Sequence, residues 1–291
     1  MSIISIKNDK LKVTISTLGA ELQGVENLND HFQYIWNDKE KKYWQRHAPI
    51  LFPFIGRSND NTYLLDGKKY SMSQHGFLRD QTFSEEYKDQ NSVTLRSDSN
   101  SSTLKKYPFY YTFKVTYSLE GNHLRIKYTI ENRNDKTMYY SLGFHPGLNI
   151  ESNLSDYSLE FNPDNTSLEE LMINPAPFRS GEIDEVPLSD SRLFLSYPML
   201  DNGLIILDAK SEKSVVLTNT RAKHEVTEDI SDFPYLAIWS PEKKNAPFVC
   251  VEPFKGLPDK YGKPVELKKK DAESHIVTHG KDVINLQISF N

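Results

Sequence analysis

Apolar and polar residues alternate with a period of two along much of the chain. Leu11, Val13 and Ile15 form one such row, Phe113, Val115, Tyr117 and Leu119 a second, and Leu124, Ile126, Tyr128 and Ile130 a third. Successive strand side chains point to opposite faces, so this period predicts strands with one buried face. The last two rows flank Glu120-Gly121-Asn122-His123, where Gly and Asn can take the positive φ of a tight hairpin. Further strands are predicted over 92–96, 138–144, 204–207, 214–219, 235–239, 248–252 and 284–290, from their β-branched and aromatic residues.

Helical signals are few. Ser167 to Met172 carries a start signal and reads as a short helix, and Ser99 to Lys106 as a turn or two. No strand–helix–strand alternation occurs. Many short strands separated by Asn, Asp, Gly, Pro and Ser clusters predict an all-β fold, a large antiparallel β-sandwich with few short helices. Such sandwiches often exceed the average domain length, so residues 1–291 are read as one domain. The acidic, proline-bearing stretch 162–187 is read as a surface excursion. Lys268-Lys269-Lys270 is read as a solvated basic spot beside Asp271 and Glu273.

Composition narrows the function more than the fold. With 37% hydrophobic and 26% charged residues the chain can build a core beneath an ordinary surface. A formal net charge of -5 argues against nucleic acid or an anionic membrane as the main partner, because both require basic faces. A small or neutral ligand fits better. The single cysteine, Cys250, permits no intramolecular disulfide and no cysteine-based zinc or iron–sulfur cluster, which suits a reducing compartment. No apolar run approaches the roughly 18 residues of a membrane span and no targeting segment opens the chain, so a cytoplasmic location is expected.

Four stretches set polar groups among aromatic, Gly and Pro residues, where a strand would prefer apolar packing. They are 43–57, in which Arg46 and Arg57 bracket an apolar block; Ser73-Gln74-His75-Gly76-Phe77-Leu78-Arg79-Asp80; Ser141-Leu142-Gly143-Phe144-His145-Pro146-Gly147; and Val249-Cys250-Val251-Glu252-Pro253-Phe254. Glu252 ends a run that should be buried, so its pKa should rise toward the range useful for proton transfer, with Pro253 stopping the strand. A structural ion pair with an arginine is an equal reading on these residues alone. His145 precedes a Pro-Gly turn at a strand end, and imidazole both gives and takes a proton near neutral pH. A buried, hydrogen-bonded histidine is the commoner fate of such a residue, and His75 admits the same two readings. Arg46, Arg57 and Arg79 offer planar donor forks for sugar hydroxyls or a phosphate, although singly each is more often in a surface ion pair. Trp44, Phe52, Phe54, Phe77 and Phe144 could floor a pyranose site, with core packing commoner for most of them. His275 and His279 lie in an extended segment without the acidic partner of a zinc motif, and no metal site is expected there.

In this order, Phe52-Pro53-Phe54-Ile55-Gly56-Arg57, His75-Gly76-Phe77, Gly143-Phe144-His145-Pro146 and Val251-Glu252-Pro253 resemble the aldose 1-epimerase (galactose mutarotase) family. The resemblance is nearest to the branch associated with lactose operons and spans nearly the whole chain. It implies a large β-supersandwich with an open cleft, interconversion of the anomers of a free hexose, and no metal or cofactor. It further implies His145 as the acid that protonates the ring oxygen and Glu252 as the base toward the C1 hydroxyl. His75 and Arg57 are similar to residues that hydrogen-bond the sugar, and Asp201 to the carboxylate that binds ring hydroxyls. Trp44-Gln45-Arg46-His47-Ala48-Pro49 departs from the galactose enzymes and resembles the hexose-6-phosphate branch, with Arg46 and Arg79 as a candidate phosphate site. Three functions follow: a mutarotase of free hexoses, a hexose-6-phosphate epimerase, or a sugar-binding module without catalysis. A glycoside hydrolase would want two carboxylates where this chain offers one with histidines.

Overall fold

The strongest alternation forms the middle of a nine-stranded sheet. In the computed structural model, which describes residues 2–38, 40, 42–219 and 221–291, strands Tyr111–Glu120 and His123–Asn132 pair across a two-residue turn. Gly121 holds φ +60° at the first turn position, the backbone setting that a primed hairpin turn requires. From edge to edge the sheet runs Arg192–Phe194, Ser158–Asn162, Ser214–Thr218, Val226–Asp229, Lys281–Phe290, His123–Asn132, Tyr111–Glu120, Ser92–Asp98 and Ser84–Lys88. Neighbouring strands in this sheet all pair antiparallel.

An eight-stranded antiparallel sheet carries Arg179–Pro187, Ser167–Ile173, Ile205–Asp208, Tyr235–Trp239, Phe248–Lys255, Leu142–Phe144 and Ile50–Leu51 in that order, with Gly147–Asn149 also paired to Phe248–Lys255. One continuous core joins inward residues of the two sheets, such as Val115, Tyr128 and Ile288 with Ile238, Val249 and Val251. Each such aliphatic or aromatic side chain contributes about 1.5–3 kcal/mol on burial, so the period-two pattern is what drives the sheets together. The Phe248–Lys255 strand is buried on both faces. Val249 and Val251 belong to the main core, while Phe248, Cys250 and Phe254 pack into two smaller clusters on the opposite face. That opposite face carries Glu252.

Three expectations are corrected. The segment read as a helix is strand Ser167–Ile173, hairpinned with Arg179–Pro187 so that Leu168 faces Val186 and Leu171 faces Ile183. A helix of so few residues is marginal by itself, whereas the hairpin gains a sheet edge and buries Leu168. The stretch 162–187 does lie at the surface, mostly as this hairpin and not as a loop. Pro253 does not stop its strand, which runs on to Lys255 with Pro253 opposite Leu236. Lys270 is buried, ion-paired with Asp259 and 4.8 Å from the Phe54 ring centre, so only Lys268 and Lys269 are solvated. The expected turn or two of helix is present as Ser101–Lys106, capped by the Asn100 side chain. Among the described residues no helix is long and apolar enough to cross a membrane.

Candidate active site

Two prolines leave a gap in the sheet, and the candidate acid and base stand in it. Gly143 pairs with Phe254 on one side of the gap, and Gly147 with Cys250 on the other. The register is the same on both sides, so His145 stands directly opposite Glu252. Pro146 and Pro253 flank them, and neither has an N–H to give the ladder. The resulting cross-strand pair brings His145 Nε2 to 3.3 Å from Glu252 Oε2. Glu252 is thus paired with a histidine, not with an arginine.

Burial sets the protonation of this pair. His145 is 8% exposed and Glu252 1%. Loss of water, then the charge of Arg79, pushes the His145 pKa down to about 3. Loss of water, then the nearby Glu228, pushes the Glu252 carboxyl well above the ordinary range. Both shifts favour a neutral imidazole beside a protonated carboxyl. His145 Nδ1 is buried without a hydrogen-bond partner, so the ring's polar contact is the one its Nε2 makes with Glu252.

His75 approaches from a strained loop. It takes φ +63° and is followed by Gly76 at φ +73°, where a Cβ would lie 2.1 Å from the Phe52 carbonyl oxygen. Only glycine permits that approach. The Gly56 N–H donates to His75 Nδ1 at 3.1 Å, which leaves the ring proton on Nε2. Burial first, then the His145 ring and the arginines, holds His75 well below its ordinary pKa. Its ring meets that of His145 edge-on, 5.7 Å between centres. Gln74 accepts from Arg57 Nε through its amide oxygen, and its amide nitrogen lies 3.2 Å from His75 Nε2, a contact between two donors and not a hydrogen bond.

Around the pair opens a cleft of about 350 Å³, lined among others by Trp44, His75, Arg79, His145, Trp239 and Glu252. That volume lies at the low end of small-ligand sites, the size of one sugar ring. Trp44 stacks on His145 at 4.8 Å and meets Trp239 at 5.7 Å. The Trp44 segment is pinned because Asp38 accepts from the Tyr43 and Trp44 N–H groups, and buried Glu21 from those of His47 and Ala48. Of the aromatics considered as a floor, Phe52, Phe54, Phe77 and Phe144 are core residues and Trp44 alone reaches the cleft. A larger hollow of about 460 Å³ on the nine-stranded sheet, lined by Arg125, Lys127, Asp229 and Asn285, holds no histidine.

The arginines differ in what they have to spare. Arg46 donates to Asp80 at 2.5 Å and to the Arg79 carbonyl, and lies 3.7 Å from Glu21. Arg79 lines the cleft with its Nη2 on the Gln74 carbonyl and its buried Nε without a partner. Arg57 is exposed at the rim. Asp201 follows the short helix Tyr197–Leu200, and its carboxylate accepts from the Lys243 N–H at 2.6 Å instead of lining the cleft. Glu242, beside Lys243, does line it and accepts from Trp239 Nε1 at 3.1 Å. Trp239 and Glu242 were not singled out in the sequence. A tryptophan ending an apolar strand just before Ser240-Pro241 was the available signal.

The two LacX proteins of Lactococcus lactis, one chromosomal and one plasmid-borne, are each 31% identical over 269 residues, covering 87% of this chain and 88% of theirs. A galactose mutarotase-like protein from Lactobacillus casei superposes with a TM-score of 0.96 at 42% identity, covering all of both chains. A galactose mutarotase related enzyme from Lactobacillus acidophilus gives a TM-score of 0.94 at 29% identity, covering 100% of this chain and 97% of that one. The fold is thus that of the galactose mutarotase-like proteins. Residues 2–281 match the family model for aldose 1-epimerase, and with these relatives on the LacX side the chain belongs to the lactose-associated branch of the aldose 1-epimerase family.

Proposed function

We propose that the protein is an aldose 1-epimerase that interconverts the α and β anomers of a free hexose, with His145 as acid and Glu252 as base. The observation that carries this reading is the pair itself, an imidazole and a carboxyl 3.3 Å apart in a cleft sized for one sugar ring. The ring oxygen and the C1 hydroxyl are bonded to one carbon, so the groups that serve them must be near neighbours.

One proton passed from Glu252 to His145 readies the pair, and none is needed from water. The Glu252 carboxylate then takes the C1 hydroxyl proton while the His145 imidazolium protonates the ring oxygen. The bond from C1 to the ring oxygen breaks, C1 becomes an aldehyde, and both side chains return to the neutral forms that burial favours. Rotation about C1–C2 followed by the reverse transfers closes the other anomer. In this reading His75, donating from Nε2, supports the ring oxygen, and Arg57 and Arg79 hold hydroxyls. Glu242 serves as the carboxylate for ring hydroxyls, while Asp201 holds the turn on which Glu242 sits. The cleft draws on positions from Trp44 to Pro258, which supports residues 1–291 acting as one domain.

Arg46 is occupied by two carboxylates, which favours an unphosphorylated substrate. The unpartnered Nε of Arg79 favours a second reading, a hexose 6-phosphate. Polarimetry on α-galactose, α-glucose and glucose 6-phosphate separates the two. Catalysed relaxation of the free sugars is the expected result, and turnover of the phosphate ester alone would move the assignment to the second reading. A protein that binds hexoses yet leaves their spontaneous relaxation unchanged would be a binding module, and the enzyme reading would be lost.

A further inference from the structure

We propose that His145, Glu252 and Cys250 also form a site for a thiophilic divalent cation of the zinc class, whose binding switches the acid–base pair off. Cys250 precedes Glu252 by two residues, so both side chains leave the strand on the same face. One ligand atom from each of the three residues lies within 4.8 Å of the others, and all three residues are buried. Thiolate, imidazole nitrogen and carboxylate oxygen are the donors zinc prefers.

Distance supports the site. Bonds of about 2.0–2.1 Å to nitrogen and oxygen and about 2.3 Å to sulfur put the corners of a tetrahedron about 3.3–3.6 Å apart. His145 Nε2 and Glu252 Oε2 already stand at 3.3 Å, so that edge is formed. The ligand atoms lie within 4.8 Å of one another, so the Cys250 sulfur must close by ~1.2 Å at most to reach a corner spacing of about 3.6 Å. Gly147 lies across the ladder from Cys250 and brings no side chain to oppose that movement. His145 and Glu252 line the cleft, from which a water or a sugar hydroxyl would supply a fourth donor.

Charge supports it as well. The buried trio is neutral when Cys250 and Glu252 hold their protons. Coordination of M²⁺ releases one proton from the thiol and one from the carboxyl, and the site stays neutral. No oxidant or other reactant enters the balance. The ion then occupies the atoms that proton transfer uses, so loss of epimerisation rests on the function proposed above, whereas coordination does not. Arg79 sets a ceiling on affinity by repelling the cation.

The experiment is titration of the full-length protein with Co²⁺ alone and then with Zn²⁺, followed by absorption spectroscopy and by calorimetry in buffers of different ionisation enthalpy. One cobalt per chain with a thiolate-to-cobalt charge-transfer band, displaced by zinc and accompanied by release of two protons, is the expected result. Zinc should also abolish hexose relaxation, reversibly with a chelator. Cys250→Ser and Cys250→Ala should keep basal relaxation, lose the band and weaken zinc inhibition at least about tenfold. Absence of the band in folded wild type, or equal zinc inhibition in both variants, overturns the site. If the protein relaxes no hexose at all, the cobalt spectrum still decides the coordination while the function proposal falls separately.

Discussion

Replacing Glu252 by glutamine makes two opposite changes that one reading must explain together. The amide has nearly the shape of the carboxyl and can still bond His145 across 3.3 Å, so the cleft keeps its form while the base is removed. Loss of a positioned proton acceptor lowers a rate by about 10²–10⁴-fold, which is about 2.7–5.4 kcal/mol of barrier. Stability should move the other way. Burial raises the Glu252 pKa, so its contribution to stability is fully present below the ordinary carboxylate pKa and is lost as pH climbs through the raised value. Each unit of that rise weakens the wild type by about 1.4 kcal/mol at alkaline pH, and glutamine carries no such penalty. Polarimetric kcat, with calorimetric Tm at about pH 4 and about pH 8, tests both. The expected outcome is a large fall in kcat with equal Tm at acid pH and a higher Tm for the variant at alkaline pH. A kcat within about tenfold of wild type would refute the role of base, and a lower Tm at both pH values would refute the burial argument.

Three further outcomes follow from the same geometry. The acid limb of kcat/KM should lie far below the ordinary histidine pKa, because His145 is pushed down to about 3 and the pair keeps its one working proton until then; a limb near 6.5 would contradict this. Glu228 lies in the core with both carboxyl oxygens unpartnered and its pKa raised by burial, so Glu228→Gln should raise Tm, by an amount that grows from about pH 5 to about pH 8; a pH-independent Tm difference would contradict it. Gly76→Ala meets the Phe52 carbonyl at 2.1 Å and an unfavourable φ, costing about 1–2 kcal/mol or more. It should lower Tm by several degrees in calorimetry and raise KM by displacing His75, and an unchanged Tm would show the loop to be more yielding than drawn.

The sheets were legible because a buried face writes its period into the chain, and the rows ending at Leu119 and Ile130 needed no distant partner to be read. The hairpin at 167–187 was not, since Ser167 and Glu170 mimic a helix start and only pairing with Leu207 and Val186 decides for a strand. The acid and base were visible as residue types in unusual surroundings, but their meeting was not, because register is a relation between strands. Lys270 was misread for the same reason, its buried partner Asp259 being a matter of folding and not of local composition. Trp239 and Glu242 were missed because a tryptophan at a strand end and a glutamate in a turn are ordinary, and only the shape of the cleft distinguishes them.

The gap between Pro146 and Pro253 assigns the reaction and the choice of sugar to different parts of the molecule. The separation of acid from base is inherited from the spacing of two neighbouring strands and cannot widen without unzipping the sheet. The walls come instead from irregular segments, the stretch around Gln74 to Arg79 and the turns at Gly203 and Glu242. Those segments can be redrawn residue by residue while the reacting pair stays where it is. A scaffold divided in this way can change its diet without relearning its chemistry.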